Sequence, residues 1–301
     1  MRVPSYFSVA ILMLCASLNF PGLVSKKNKK INQFVFVPSG QLLHQEETKS
    51  IQHFFMTSTE VSNAAYRLFL EDLEQKKKTS VLVTAAVQSE AWSKVVASAG
   101  PLEANYFIHP AYNEYPVVNI SYEGALAYCA WMEDKLKSIL DVEGLTVRLP
   151  SELEWIYAAR GGVVQAPYPW GGYYVRNAKG CALANFTPSD EKNEVKNSGD
   201  NTSPVKEDGA LFTAPIASYF PNNYGLYNMS GNVAEMISEP GEAMGGSWNS
   251  TYQHVQVDSK SNYQEPRPTL GFRPLVSIKG PLPKGLDLNK SWKKFLKQEN
   301  L

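Results

Sequence analysis

Cysteine is scarce in this chain: three of 301 residues, of which only Cys129 and Cys181 lie beyond residue 30. One disulfide is the most that the body of the chain can form, and a fold stapled by several bridges is excluded. Histidine is equally thin, and His44, His53, His109 and His254 are too scattered for any pair to have the spacing of a zinc site. There is no excess of charge, since 29 Lys and Arg stand against 29 Asp and Glu. Without a basic field no nucleic-acid partner is expected, and charge supplies no attraction to an anionic membrane. No segment approaches the roughly 20 apolar residues that a membrane-spanning helix needs.

An apolar run near the N-terminus, from about Val9 to Leu18, follows Met1 and Arg2 and leads into Lys26, Lys27, Lys29 and Lys30. That order is the layout of a secretory signal peptide, assigned to residues 1–25, and it predicts an exported protein. Cys15 stands where a lipoprotein carries its acylated cysteine, although Leu14 replaces the small residue expected before it. A lipid anchor at Cys15 is the one membrane attachment the sequence offers.

The domain is expected to open at Phe34, where an apolar strand runs into the turn signal Pro38-Ser39-Gly40. Ser62 predicts a helix cap, with Ala65, Leu68, Phe69 and Leu73 at helical spacing, and the charged stretch from Asp72 to Thr79 reads as solvated surface. Tyr115 to Ile120 reads as a buried strand, followed by a helix capped by Ser121 that carries Ala125, Leu126, Tyr128, Cys129 and Met132. Ser151 and Glu154 form a capping box for a further helix, which Gly161 and Gly162 stop. From Tyr168 to Pro240 the chain is rich in Gly, Pro, Asn and Asp but also in aromatics, which predicts long, packed loops rather than disorder. The polar stretch from Asp190 to Lys206 reads as an exposed insertion. Loops of this kind need internal ties, and where cysteine is scarce, Asp, Asn and carbonyl oxygens suit calcium.

Four blocks then occur in order: Tyr115 to Met132, Arg148 to Gly162, Asn223 to Glu235, and Gly245 to Trp248 followed by Gly271-Phe272-Arg273. Together they resemble the formylglycine-generating-enzyme (sulfatase-modifying factor) family over about Phe34 to Val276. The resemblance implies an α+β fold: a single compact domain poor in regular secondary structure and related to C-type lectins, assigned to residues 34–278 with a basic tail at 279–301. It also implies two structural calcium sites. One would use the side chains of Asn228 and Glu235 with the carbonyls of Gly231 and Val233. The other would use Asn185, the Phe186 carbonyl, Asp208 and the Ala210 carbonyl.

The chain departs from its resemblance at the active site. Catalytic members carry two cysteines after the Gly-Gly-Ser-Trp block that bind copper(I), and the matching positions here are Ser250 and Val255. A hydroxyl and an isopropyl group cannot replace two thiolates at a soft ion, so no catalytic residue, no copper and no formylglycine formation are expected. Ala234 and Pro274 depart from the family pattern as well. The remaining candidates for a substrate groove are Ser247, Trp248, Ser250 and His254. Trp248 reads equally as plain core, and the Ser250 and His254 pair lacks a third orienting group.

The stretch from Tyr106 to Pro116 resembles lipoproteins of gliding motility and type IX secretion. The leading expectation is therefore a calcium-stabilised pseudoenzyme with envelope protein partners, in the periplasm or outer membrane of a Gram-negative bacterium. The alternatives are a metal-dependent oxidase or hydroxylase with a non-copper site, and a lectin-like ligand-binding protein. The tail from Lys290 to Lys297 reads as either a docking helix or a frayed amphipathic end.

Overall fold

The computed structural model of the chain describes residues 32–187 and 210–298. The signal peptide, Cys15, the insertion from Asp190 to Lys206 and Asp208 lie outside them. The described chain opens with four strands, β1 (Phe34–Val37), β2 (Gly40–His44), β3 (Glu47–Ile51) and β4 (Phe54–Thr57), and three helices, α1 (Asn63–Gln75), α2 (Thr79–Thr84) and α3 (Gly100–Asn105). The helix α4 (Tyr122–Ile139), the strand β5 (Leu145–Arg148) and the helix α5 (Glu152–Arg160) follow. After the long loops come β6 (Ala234–Met236), β7 (Glu242–Met244), β8 (Lys260–Asn262), β9 (Leu270–Gly271), β10 (Leu275–Ile278) and α6 (Leu288–Gln298).

These elements form a mixed α+β domain. Two four-stranded sheets, ordered β1-β4-β10-β5 and β8-β7-β6-β9, are joined to a β2-β3 hairpin. The first sheet is antiparallel throughout, and the β6-β9 pair is parallel. One core lies where α1 and α4 meet the first sheet: Tyr66, Phe69, Tyr128 and Phe272 are fully buried and mutually edge-on or stacked. A second core surrounds Trp155 of α5, with Met56, Met244 and Leu275.

The helix starts are where side-chain chemistry demands. Ser62 and Ser121 accept from the backbone N–H groups of Ala65 (3.2 Å) and Gly124 (3.0 Å), satisfying donors that no helical carbonyl can reach. The capping box at Ser151 and Glu154 is complete, and Gly161 closes α5 in the left-handed region at φ +57°. Asp72 is not simply solvated. It accepts from Trp131 Nε1 at 3.0 Å and pairs with Lys135 and Lys76, tying α1 to α4.

Tyr115 to Ile120 is not a strand, contrary to its pattern. Pro116 has no N–H to give a ladder and makes only an isolated bridge with Ser62, and Asn119 turns the chain at φ +61°. The buried Val117 and Ile120 show that periodicity reported burial here rather than strand. Among the described residues from Tyr168 to Pro240 the short strand β6 is the one regular element, so this stretch is mostly loop, as the composition predicted. The tail is a docked helix: Trp292 and Phe295 are buried, edge-on to Phe34 and Trp131. Asn289 seals the contact by accepting from and donating to the Phe34 backbone, both at 2.9 Å.

Cys129 and Cys181 do not meet. Both thiols are free, one in the core and one exposed, and burial pushes the Cys129 thiol far up. A thiol reagent added to native protein is therefore expected to label Cys181 at once and Cys129 only in denaturant, checked by mass spectrometry of the peptides.

Candidate functional site

The last β6 residues and the loop before them converge with the β4-α1 and β9-β10 connections on one buried polar centre. Three residues of the loop, Asn228, Gly231 and Asn232, take left-handed backbone (φ +53°, +73°, +63°). This winds the segment tightly against Asn185, whose carbonyl lies only 2.2 Å from where a Gly231 Cβ would stand, so no side chain fits there. Asn232 N donates to that same carbonyl at 2.8 Å. The two segments the resemblance assigns to separate calcium sites are thus neighbours.

Glu235 follows on β6 and is almost fully buried, as is Arg273. The Arg273 guanidinium donates Nε to Glu235 Oε2 (2.7 Å) and Nη2 to Oε1 (2.6 Å). Its other N–H groups reach the carbonyls of Thr57 (3.2 Å), Ser58 (3.3 Å) and Tyr227 (2.8 Å). All five donors of the fork therefore have acceptors, as burial requires. Trp155 Nε1 adds a third donor to the carboxylate, to Oε2 at 2.7 Å.

A second acid, Glu60, lies beside this pair with 2% of its surface exposed. Burial pushes its carboxyl up to about 8, with Arg273 pulling down and Glu235 adding to the rise. It receives Asn232 Nδ2 at 2.8 Å and Asn228 Nδ2 at 3.1 and 3.2 Å from its two oxygens. Asn232 is fixed the other way round as well, its Oδ1 accepting from Ala214 N at 2.7 Å. Two carboxyls thus share one guanidinium, whose hydrogen bonds to a carboxylate go only to Glu235.

This arrangement bears on the calcium set implied by the resemblance. The Glu235 oxygens accept three N–H groups, two from Arg273 and one from Trp155, which leaves about one of a carboxylate's roughly four acceptor sites open to a cation while Arg273 holds it. Asn228 is different, since its Oδ1 is buried with no donor. In the other implied set, Asn185 donates Nδ2 to Phe212 O (2.7 Å) and to Asn232 Oδ1 (3.2 Å), Phe186 is buried, and Ala210 is half-buried. Among the described residues, no three His, Cys, Asp or Glu side chains form a metal-holding group.

The groove candidates lie on the next turn. Gly245 and Gly246 are left-handed (φ +83°, +64°), and a Cβ on Gly246 would meet the His254 carbonyl at 2.3 Å, so the Gly-Gly-Ser-Trp turn is pressed onto residues 252–255. Trp248 is a core residue and not a groove wall. It is 5% exposed, edge-on to Phe212 at 5.3 Å, and its Nε1 donates to Pro268 O at 3.0 Å. A lectin-like platform at Trp248 loses its exposed face.

Ser250 and His254 do not pair. Ser250 Oγ accepts from Ser247 N at 3.0 Å and meets Ser247 Oγ at 3.2 Å, whereas His254 Nδ1 bonds Thr251 Oγ1 at 2.8 Å. Each contact spans three residues of one turn and closes it locally, so no nucleophile and base are assembled. Val255 is wholly buried, packed with Tyr168, Ala184 and Phe186. A side chain at that position therefore faces apolar carbon.

The geometry agrees with comparison to known proteins. The sulfatase-modifying factor enzyme 1-like domain matches residues 20–278. The chain belongs to the sulfatase-modifying factor family. It is 30% identical over 254 residues to the formylglycine-generating enzyme of Mus musculus, covering 73% of this chain and 62% of that protein. It is 34% identical over 131 residues to the inactive C-alpha-formylglycine-generating enzyme 2 of Bos taurus, covering 43% and 35%. Both alignments leave more than a third of the relative's length unmatched. The structure of PvdO from Pseudomonas aeruginosa superposes with a TM-score of 0.54 at 18% identity over 81% of this chain and 94% of that one, which shows a shared fold.

Sequence reasoning on this family member missed Glu60, Trp155 and Arg273 as a unit. The signal lay in Arg273 within Leu270 to Val276 and Glu235 between Val233-Ala234 and Met236-Ile237, charges too costly to bury there without partners, whereas Glu60 sits among Thr, Ser and Asn and gave no such signal.

Proposed function

We propose that this sulfatase-modifying factor homologue is a non-catalytic, calcium-stabilised module, exported and bound to protein partners in a bacterial envelope apparatus of the gliding-motility or type IX secretion kind. The observation that carries the reading is the pair of positions 250 and 255, where a hydroxyl spent on its own turn and a valine in the core stand in place of two thiolates. Catalysis at copper(I) needs two soft ligands converging on one ion. Likeness to an inactive relative supports the same reading. No helix among the described residues is long and apolar enough to cross a membrane, which is compatible with export.

The test combines two measurements. Purified protein given copper, oxygen and a sulfatase peptide containing cysteine is expected to form no aldehyde above the protein-free background, read by hydrazide capture and mass spectrometry. Gentle solubilisation of the native envelope is expected to recover the protein in a stable complex with other envelope proteins. Aldehyde formation overturns the loss of catalysis, and recovery only as a free monomer overturns the assembly role.

A further inference from the structure

The C-terminal helix α6 has two faces that differ in kind. Leu288, Trp292 and Phe295 are buried, whereas Lys290, Lys294 and Lys297 are exposed and Lys293 is half-buried. Each set of three recurs at i, i+4 and i+7, so each forms one stripe along the helix. The stripes are offset by two residues, about 200° around the axis, and burying one turns the other outward. The helix carries four lysines and no acid.

Docking fixes this orientation. Asn289 holds both main-chain groups of Phe34 at 2.9 Å, and the Trp292 ring stands edge-on to Phe34 at 6.0 Å and to Trp131 at 6.1 Å. On the inner side Lys135 pairs with Asp72 at 2.8 Å and lies over the Phe295 ring at 5.1 Å. The outer lysines have no such partner. Among the described residues Lys49, Lys76, Lys94, Lys135, Lys137 and Lys260 each meet a carboxylate, and no lysine of α6 does. A chain of zero net charge thus concentrates unpaired positive charge on one rigid row, about 10 Å from Lys290 to Lys297.

A helix that lies in a bilayer buries its apolar face among acyl chains. In α6 that face is taken up by the domain core, so only the ammonium groups are left to meet a partner, and a flat anionic surface suits a straight row of them. The place of the helix favours a membrane over an acidic protein. The first described strand, β1, starts against α6, so the chain before residue 32 meets the domain there. That part of the sequence holds Lys26, Lys27, Lys29 and Lys30 and, at Cys15, the expected lipid attachment. One acyl chain binds only marginally, and a basic patch is the second signal that stable attachment takes.

We infer that Lys290, Lys294 and Lys297 rest on an anionic phospholipid surface and orient the domain by headgroup contact, without insertion. The inference goes beyond the proposed function, whose partners are proteins; it rests on that reading for export and is independent of calcium and of catalysis.

The experiment is cosedimentation of the full chain with vesicles of phosphatidylcholine and with vesicles of an equal mixture of phosphatidylcholine and phosphatidylglycerol. The readout is the excess affinity for the anionic vesicles, which cancels any partition of the apolar run from Val9 to Leu18. The wild type is expected to show an excess at physiological salt that disappears at about 1 M salt, where the screening length falls to about 3 Å. Replacing Lys290, Lys294 and Lys297 together by glutamine is expected to weaken binding to the anionic vesicles about a hundredfold, and Lys294→Gln alone about fivefold, both at unchanged melting temperature. The single variant keeps the test decisive if the triple one is unstable. Arginine at the same three positions is expected to bind like the wild type. The absence of an excess, an excess that survives high salt, or glutamine variants that bind like the wild type each overturn the inference. None of these results touches the envelope complex, which solubilisation reads separately.

Discussion

Replacement of Arg273 by methionine is expected to destabilise the domain by about 3–5 kcal/mol, a large share of the total stability of a typical domain. Methionine retains the apolar stem, so little of the effect comes from packing. What it removes is the only positive charge bonded to Glu235, leaving a carboxylate that is 1% exposed with the Trp155 indole as its remaining side-chain donor. It also strands the carbonyls of Thr57, Ser58 and Tyr227 that the guanidinium serves. Chemical denaturation of wild type and variant measures the difference as a shift in midpoint at unchanged slope. The double variant Arg273→Met with Glu235→Met is expected to recover much of the loss, because an apolar pair carries no unpaired charge. Equal stability of wild type and single variant would show that the pair contributes nothing beyond the desolvation it incurs.

That pair also marks how far the sequence could be read. Local chemistry was legible wherever one residue acts on its near neighbours: the caps at Ser62, Ser121 and Ser151 and the left-handed stop at Gly161 all stand where their residue types place them. Burial was legible too, as in Val117 and Ile120, but not the geometry of the buried segment, because Pro116 and Asn119 override the strand pattern. The proposed replacement of two cysteines by Ser250 and Val255 rests on the resemblance, by position alone. The identity of the partners was not legible. Glu235 meets Arg273 across 38 positions and Asn228 meets Glu60 across 168, and nothing local to either announces the other. Ser250 and His254, four apart but without a third orienting group, offered only a weak pair in the sequence, and the turn gives each a closer partner, Ser247 for one and Thr251 for the other.

Trp155→Ala is expected to be the most damaging single substitution in the second core. The indole is completely buried, and its removal leaves a cavity beneath Gly245, whose missing side chain makes room for the ring: a Cβ there would stand 2.9 Å from the indole carbons. Truncating a buried tryptophan costs about 3–5 kcal/mol, and here the 2.7 Å bond to Glu235 Oε2 is lost as well. Trp155→Phe separates the two effects, since it keeps most of the ring and loses the donor; its cost is expected at about 1.5–3 kcal/mol, the range for a hydrogen bond to a charged group. Because Trp155 and Arg273 hold the same carboxylate, the Phe variant combined with Arg273→Met is expected to depart from additivity by more than about 0.5 kcal/mol, read from the same denaturation curves. Strict additivity would mean that the indole packs without sharing in the charge, and that the buried centre is an ion pair with a bystander rather than a three-part unit.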